Sequence, residues 1–356
     1  MKGLEFKIKE KDKEMKENRT FDLIALGEIM LRLSTSENER LQRHDNLRKR
    51  TGGAELNTAA GAAALGLKAA VISKLPDNDL TTFARNRIRF GNVNDEYIVF
   101  DKSPDARMGV YFYEYGAYPR KPRIIYDRKH SSINKISVVD FDDSLYTKAR
   151  CFHTSGITLA LSDACRETAI EMIKRFKAQG TLISFDVNFR GNLWTGAEAK
   201  KCIEEILPYV DIFFCSEDTA RLTFLKEGDV YKMMKEFAEE YDIKIVASTQ
   251  RIVHSPKSHT FGSVIYNALE NKYYEEEPYR NIDVVDRIGS GDAYISGVLY
   301  GLLKYDMDCR RALEYGNATG AMKNTVLGDL LVADLREIDG MIRDHQTTGR
   351  VSEMER

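Results

Sequence analysis

Nothing in this chain approaches the roughly 20 consecutive apolar residues that a membrane-crossing helix requires. A dominant charge is missing too. The formal net charge is −2, so no overall basic field favours nucleic acid or an anionic membrane surface. Cysteine is sparse: Cys151, Cys165, Cys202, Cys215 and Cys309 are odd in number, scattered and without a Cys-x-x-Cys pair. That pattern argues for buried thiols in a reducing cytoplasm rather than disulfides or a zinc site. No Gly-x4-Gly-Lys-Ser/Thr occurs, which removes a P-loop. No Gly-x-Gly-x-x-Gly follows the first apolar strand, which weakens a dinucleotide site. Internal repeats and low-complexity linkers are absent as well. Met1 to Arg19 is crowded with Lys and Glu and lacks the apolar centre of a signal peptide. Residues 1–20 therefore read as a charged, solvated extension.

What remains is a chain of 356 residues, long enough to bury a large core. Phe21 to Gly27 reads as a buried strand, and Ile29, Leu31 and Leu33 alternate with polar residues as a strand with one wet face does. An Ala-rich helix is predicted over Leu56 to Leu65, a strand over Ala69 to Ser73 and a helix over Thr81 to Phe90. Met108 to Tyr115 and Arg123 to Asp127 read as exposed-face strands rich in Tyr, Val and Ile. Strands near Ala149–His153, Thr181–Asp186, Asp211–Cys215 and Lys244–Ser248 then alternate with helices near Ala164–Ala178, Ala197–Leu207 and Val230–Tyr241. Such alternation implies an α/β fold, with a central mostly parallel sheet and helices on both faces. A hairpin-like pair, Gly262–Asn267 with Lys272–Glu276, precedes two last helices near Ala293–Lys304 and Cys309–Asn324. The early alternating strands, near 29–50 and 107–128, break the parallel rhythm. They suit a small β-sheet lid inserted into one domain over 21–340, with a tail over 341–356.

The densest chemistry lies in Asp286-Arg287-Ile288-Gly289-Ser290-Gly291-Asp292-Ala293-Tyr294. Glycines at a helix start let backbone N–H groups face open space, and the helix dipole adds positive charge there, which makes an anion hole. A site that only held phosphate would not want Asp292 at its edge, because like charges repel. The carboxylate suggests a base that takes a proton from a hydroxyl while the backbone holds a phosphoryl group.

Other polar clusters fall at predicted strand ends, where parallel sheets bind ligands. Thr51-Gly52-Gly53-Ala54-Glu55-Leu56-Asn57 allows close backbone approach and offers Asn57 as donor and acceptor; a tight turn with a helix cap explains it equally well. Asp186, Asn188 and Arg190 point one way if the backbone stays extended. They suit a polyhydroxy, anionic ligand, or an Asp–Arg pair that closes a strand. Tyr111, Tyr113 and Tyr115 share one strand face, and Tyr126 and Arg128 end the next strand; these residues pack a lid or contact a sugar acid. His254 and His259 read as loop residues without metal-ligand partners, and His153 as structural.

Together these residues resemble the ribokinase-like (PfkB-type) carbohydrate kinases, over nearly everything from Phe21 to about Asp339. Asp286-x-x-Gly289-Ser290-Gly291-Asp292 is similar to the family's Asp-Thr-x-Gly-Ala-Gly-Asp signature. The resemblance implies that Asp292 is the base and that the backbone of Gly289, Ser290, Gly291 and Asp292 is the anion hole. Gly27-Glu28-Ile29-Met30-Leu31-Arg32-Leu33, Lys74-Leu75-Pro76-Asp77-Asn78, Ile125-Tyr126-Asp127-Arg128, Ser155-Gly156-Ile157-Thr158 and Asp186-x-Asn188-x-Arg190-x-x-Leu193-Trp194 are similar to the 2-keto-3-deoxygluconate kinases. That subgroup implies ATP-dependent phosphorylation of a sugar acid on its terminal hydroxyl, giving the 6-phosphate. The implied sugar contacts are Gly53, Asn57, Tyr111, Tyr126, Arg128 and Arg190. The implied nucleotide contacts are Ser216, Ser248, Gly289, Gly291 and Asn317, with Mg²⁺ assisting and no metal ligand assigned. Ser290 and Arg287 replace the family's alanine and threonine. Ser216 and Thr219 stand where an Asn-x-x-Glu element is expected, and Ser248-Thr249-Gln250-Arg251 where Lys-x-Gly-x-x-Gly is usual. A fructokinase or other ketose or sugar-acid kinase of the same fold is the alternative, and a non-catalytic sugar-acid sensor a more distant one. The expected partners are the sugar acid and ATP, with no nucleic acid or membrane. The lid's exposed-face aromatics admit a homodimer.

Overall fold

Strands buried on both faces need apolar side chains pointing both ways, and β1 (Phe21–Leu26) supplies them. Its Leu23 and Ala25 enter the core on one side of the sheet, Ile24 and Leu26 the core on the other. The computed structural model describes residues 19–347 apart from 37, 38 and 44. The charged extension expected over 1–20 thus lies almost wholly outside the described residues.

After β1 come β2 (Met30–Ser34), β3 (Arg48–Gly52), α1 (Ala54–Ala64), β4 (Ala69–Pro76), α2 (Asp79–Phe90), β5 (Val93–Asn94), β6 (Ile98–Asp101), β7 (Gly109–Glu114) and β8 (Arg123–Asp127). The regular alternation follows: β9 (Ala149–Ser155), α3 (Gly156–Leu161), α4 (Asp163–Ala178), β10 (Leu182–Asp186), α5 (Gly196–Ile206), β11 (Ile212–Phe214), α6 (Glu217–Leu222) and α7 (Val230–Tyr241). The chain then forms β12 (Ile245–Ser255), β13 (Ser258–Asn267), β14 (Lys272–Tyr274), β15 (Tyr279–Asp283), α8 (Ser290–Lys304), α9 (Cys309–Asn324) and α10 (Leu335–Gln346).

Among the described residues these strands make two sheets. The larger runs β14-β13-β12-β11-β10-β9-β1-β4-β5, with β6 beside β4 and β15 beside β13. It is parallel from β12 to β5 and antiparallel where β13, β14 and β15 join. Residues of α1, α8, α9 and α10 form one core layer with it, and residues of α4, α5 and α7 the other. The smaller sheet, ordered β3-β2-β7-β8, is the expected lid.

Three of the lid's tyrosines are not exposed. Tyr111, Tyr113 and Tyr115 are buried with Met30 against Tyr126, Ile124, Ile288 and Leu327 of the same chain. Their cover comes from within the chain. Two further expectations change. β12 and β13 form a long antiparallel hairpin that places His254 and His259 in strands, with Val253 opposite His259. The outer half of β12 is mostly exposed, so its polar composition read as a loop. The tail expected from 341 is in part α10, which crosses that boundary and buries Ile338 and Ile342 one turn apart.

Candidate active site

The carboxyl ends of β1, β9 and β10 and the starts of α1 and α8 converge on one cleft edge. Gly289 caps α8 at φ 84°, ψ 1° without a side-chain hydrogen bond. A Cβ on it would lie 2.0 Å from the carbonyl oxygen of Asp329, so fold and backbone both demand glycine there. Gly291 is different: a Cβ would meet nothing within 4 Å. The fold does not require that bareness, and a ligand approaching the backbone would use it. The first backbone bond of α8 runs from Ala293 N to Gly289 O (2.8 Å). The amides of Gly291 and Asp292 precede it and have no acceptor within the helix. Ser290 N is turned back to Arg287 O (3.2 Å), and Ser290 is buried.

Asp292 is half-buried in the first turn of α8. Burial pushes its carboxyl up to about 6, against a hydrogen bond from Asn57 and the charge of Arg190 that favour ionisation. The bond from Asn57 Nδ2 to Asp292 Oδ2 is 2.7 Å. Asn57 is itself buried, and its Oδ1 accepts no hydrogen bond, which leaves an orphan acceptor beside Asp292. Asp186, at the end of β10, is also pushed up, to about 7, by burial and then by Asp292. In the sheet Asp186 faces Ser155. Ser155 and Thr158 donate to the buried carboxylate of Glu55 at 2.6 and 2.7 Å, and burial raises Glu55 as well. Asp292, the Asn57 amide and two further carboxyls, Asp186 and Glu55, thus line one edge.

The expected sugar contacts divide. Arg190 is exposed, donates to Phe189 O at 3.1 Å and is near enough to act on both Asp186 and Asp292. Gly53 caps α1, where a Cβ would lie 2.0 Å from Glu28 O. The Tyr126 ring packs tilted against Tyr111 and lies under Arg128. Two other expectations change character. Arg128 is 8% exposed and its Nε donates to Glu28 at 2.7 Å, and its charge is paired with Glu28. Tyr111 is buried with its hydroxyl donating to Asp329. A buried guanidinium needs a counter-charge, and Glu28, a hundred residues upstream, supplies it.

On the nucleotide side, Ser216 caps α6 and shares a hydrogen bond with Thr219 (2.9 Å). Ser248 is buried with an unpartnered hydroxyl. Asn317 is fully buried and engaged at both ends, accepting from Ser263 (2.7 Å) and donating to Glu276 (2.8 Å). Arg251 and Arg287 lie close enough that Arg287, after burial, lowers the pKa of Arg251. Burial and then these two arginines hold His259 down at about 4, which marks a cationic flank before α8.

Sequence reasoning missed the junction beneath the lid. Arg32 is fully buried and binds Asp329 at 2.7 Å and Asp286 at 2.5 Å. Burial opposes its charge, but the two aspartates outweigh that and raise its pKa. Gly328 N also donates to Asp286 (3.0 Å). The one signal was an arginine inside the apolar alternation of β2.

A model of the pfkB family of carbohydrate kinases matches residues 20–331. A 2-dehydro-3-deoxygalactonokinase of Haloferax volcanii is 35% identical over 91% of this chain and 97% of its own length. "Probable fructokinase-7" of Arabidopsis thaliana is 31% identical over 79% of this chain and 80% of its own. The crystal structure of 2-dehydro-3-deoxygluconokinase from Thermotoga maritima superposes with a TM-score of 0.86 at 31% identity, covering 91% of this chain and 99% of that one. On the match over residues 20–331 and the likeness of these relatives, the chain belongs to the pfkB family of carbohydrate kinases.

Proposed function

We propose that this kinase transfers the γ-phosphoryl group of ATP to the terminal hydroxyl of a 2-keto-3-deoxy sugar acid, 2-keto-3-deoxygluconate first. Asp292 takes the hydroxyl proton as its oxygen attacks phosphorus, and the bond to the departing ADP breaks. The amides of Gly291 and Asp292 hold the transferred group, and the open Gly291 Cα lets it come close. Positioning and charge stabilisation are most of what phosphoryl transfer asks of a protein. Asn57 fixes Asp292 and offers Oδ1 to a sugar hydroxyl. Mg²⁺ would supply charge neutralisation on the phosphates when bound.

The observation that carries the sugar-acid reading is Arg190, an exposed cation acting on Asp292. One observation favours a second reading, a neutral ketose such as fructose: the charge of Arg128 is taken up by Glu28. An ADP-release assay over 2-keto-3-deoxygluconate, 2-keto-3-deoxygalactonate and neutral ketoses separates the two. A charge-assisted contact is worth roughly 1.5–3 kcal/mol, so Arg190→Ala should raise KM for the acid about 10- to 100-fold. Turnover of a neutral ketose that outruns both acids, unchanged in Arg190→Ala, would favour the second reading.

A further inference from the structure

Lys323, near the end of α9, is fully buried, and no step above uses it. Its Nζ donates to the backbone carbonyl oxygens of Asp286 (3.0 Å) and Val326 (3.2 Å). Those carbonyls belong to different loops. One leads into α8 and the anion hole; the other follows α9. The two loops touch again where Gly328 N meets the Asp286 carboxylate and where Gly289 backs onto the Asp329 carbonyl. Backbone carbonyls aimed at a common point repel each other, and a cation placed between them attracts both. An apolar residue in the same space would avoid the several kcal/mol that burying an ammonium ion costs. The charge is therefore there for a reason other than packing.

We propose that Lys323 is a built-in cation that bridges the two loops and holds Asp286–Gly289 in the register that aims the α8 amides at the transferred phosphoryl group. It is a positioning residue that touches no substrate, and the proposal rests on reading Gly289–Asp292 as the phosphoryl site. The charged groups facing it are Asp286, Asp329 and Asp292, which favour its charge, and Arg32, which opposes it. Burial prevails and brings the amine down to about 8. At neutral pH it is still charged. Above pH 8 the charge is lost, the two remaining N–H groups hold the carbonyls less strongly, and turnover should fall. Stability should move the opposite way between pH 8 and the unfolded value near 10.4, because there the unfolded chain binds more protons than the folded one. A lysine that only filled space would not produce the falling limb in turnover.

The test compares wild type, Lys323→Ala and Lys323→Met in choline chloride and in potassium or ammonium chloride of equal ionic strength. Small misplacements at a reacting centre cost up to about 100-fold, so Lys323→Ala in choline should lose on the order of 10- to 100-fold in kcat, with less change in sugar KM. Potassium or ammonium should enter the carbonyl-lined space, restore turnover and raise the melting temperature. Lys323→Met, with that space filled, should gain neither, and wild type should be indifferent to the ion. The proposal is overturned if Lys323→Ala matches wild type in choline, if neither ion relieves it in turnover or melting, or if wild type responds to the ions as strongly as the variant. Ion-specific melting of Lys323→Ala reads the bridge without activity. A failure of the phosphoryl-site reading would show instead as turnover retained by Asp292→Asn.

Discussion

Arg32 under the lid is fully buried and shares two carboxylates; Arg190 at the cleft is exposed, and the bond it makes is to a neighbouring carbonyl. The aspartates differ in the same way. Asp286 receives Arg32, the amide of Gly328 and that of Ile288, while Asp292 receives Asn57. Residue type says little about role here; saturation does. Where each charge has its partner, the group holds the fold together. Where a charge or an acceptor is left over, as at Arg190 and Asn57, the proposed function gives it a ligand to meet.

The contrast breaks most severely at the base. Asp292→Asn should keep the fold and sugar binding while kcat falls by about 10²–10⁴, the usual worth of a positioned general base. Near-normal turnover would remove Asp292 from the mechanism. At the saturated junction the loss should appear in stability instead. Arg32→Met strands two buried carboxylates, which costs about 3–5 kcal/mol, readable by urea unfolding. A stable Arg32→Met would show the pairing to be worth little.

The two signature glycines sharpen the comparison within one turn. Gly289→Ala forces a Cβ onto Asp329 O in a left-handed backbone and should destabilise by more than the ~1–2 kcal/mol of the conformation alone. Gly291→Ala should leave melting within about 0.5 kcal/mol of wild type and raise KM for ATP. Equal effects of both substitutions in melting would end the distinction. The smallest effect is in pH. Asp292 must be ionised to act, so kcat/KM for the wild type should fall on the acid side of about pH 6. Asn57→Ala removes a bond that favours the carboxylate, so the acid limb should move to higher pH in a pH–rate profile.

The elements legible in the sequence were those whose signal is local. The parallel strands announced themselves as apolar runs, and Gly289-Ser290-Gly291-Asp292 as a helix start with a carboxylate. The lid strands showed in their alternation. What the sequence hid was pairing across distance. The sequence leaves Arg128 and Tyr111 open between packing the lid and contacting a sugar acid; their partners Glu28 and Asp329 lie too far along the chain to be read from it. The outer half of β12 was missed because a strand wet on both faces has no apolar period. Glu55 stands in sequence within a glycine-rich turn, and its hydrogen bonds to Ser155 and Thr158 depend on β9 lying beside β1.

Asp286 belongs to both halves of this enzyme. Arg32 grips its side chain from the lid, and the same residue opens the loop that becomes the anion hole. If sugar and nucleotide bind as proposed, sites so joined obey reciprocity. Whatever free energy one ligand gains or loses by shifting the lid strands must appear, factor for factor, in the affinity of the other.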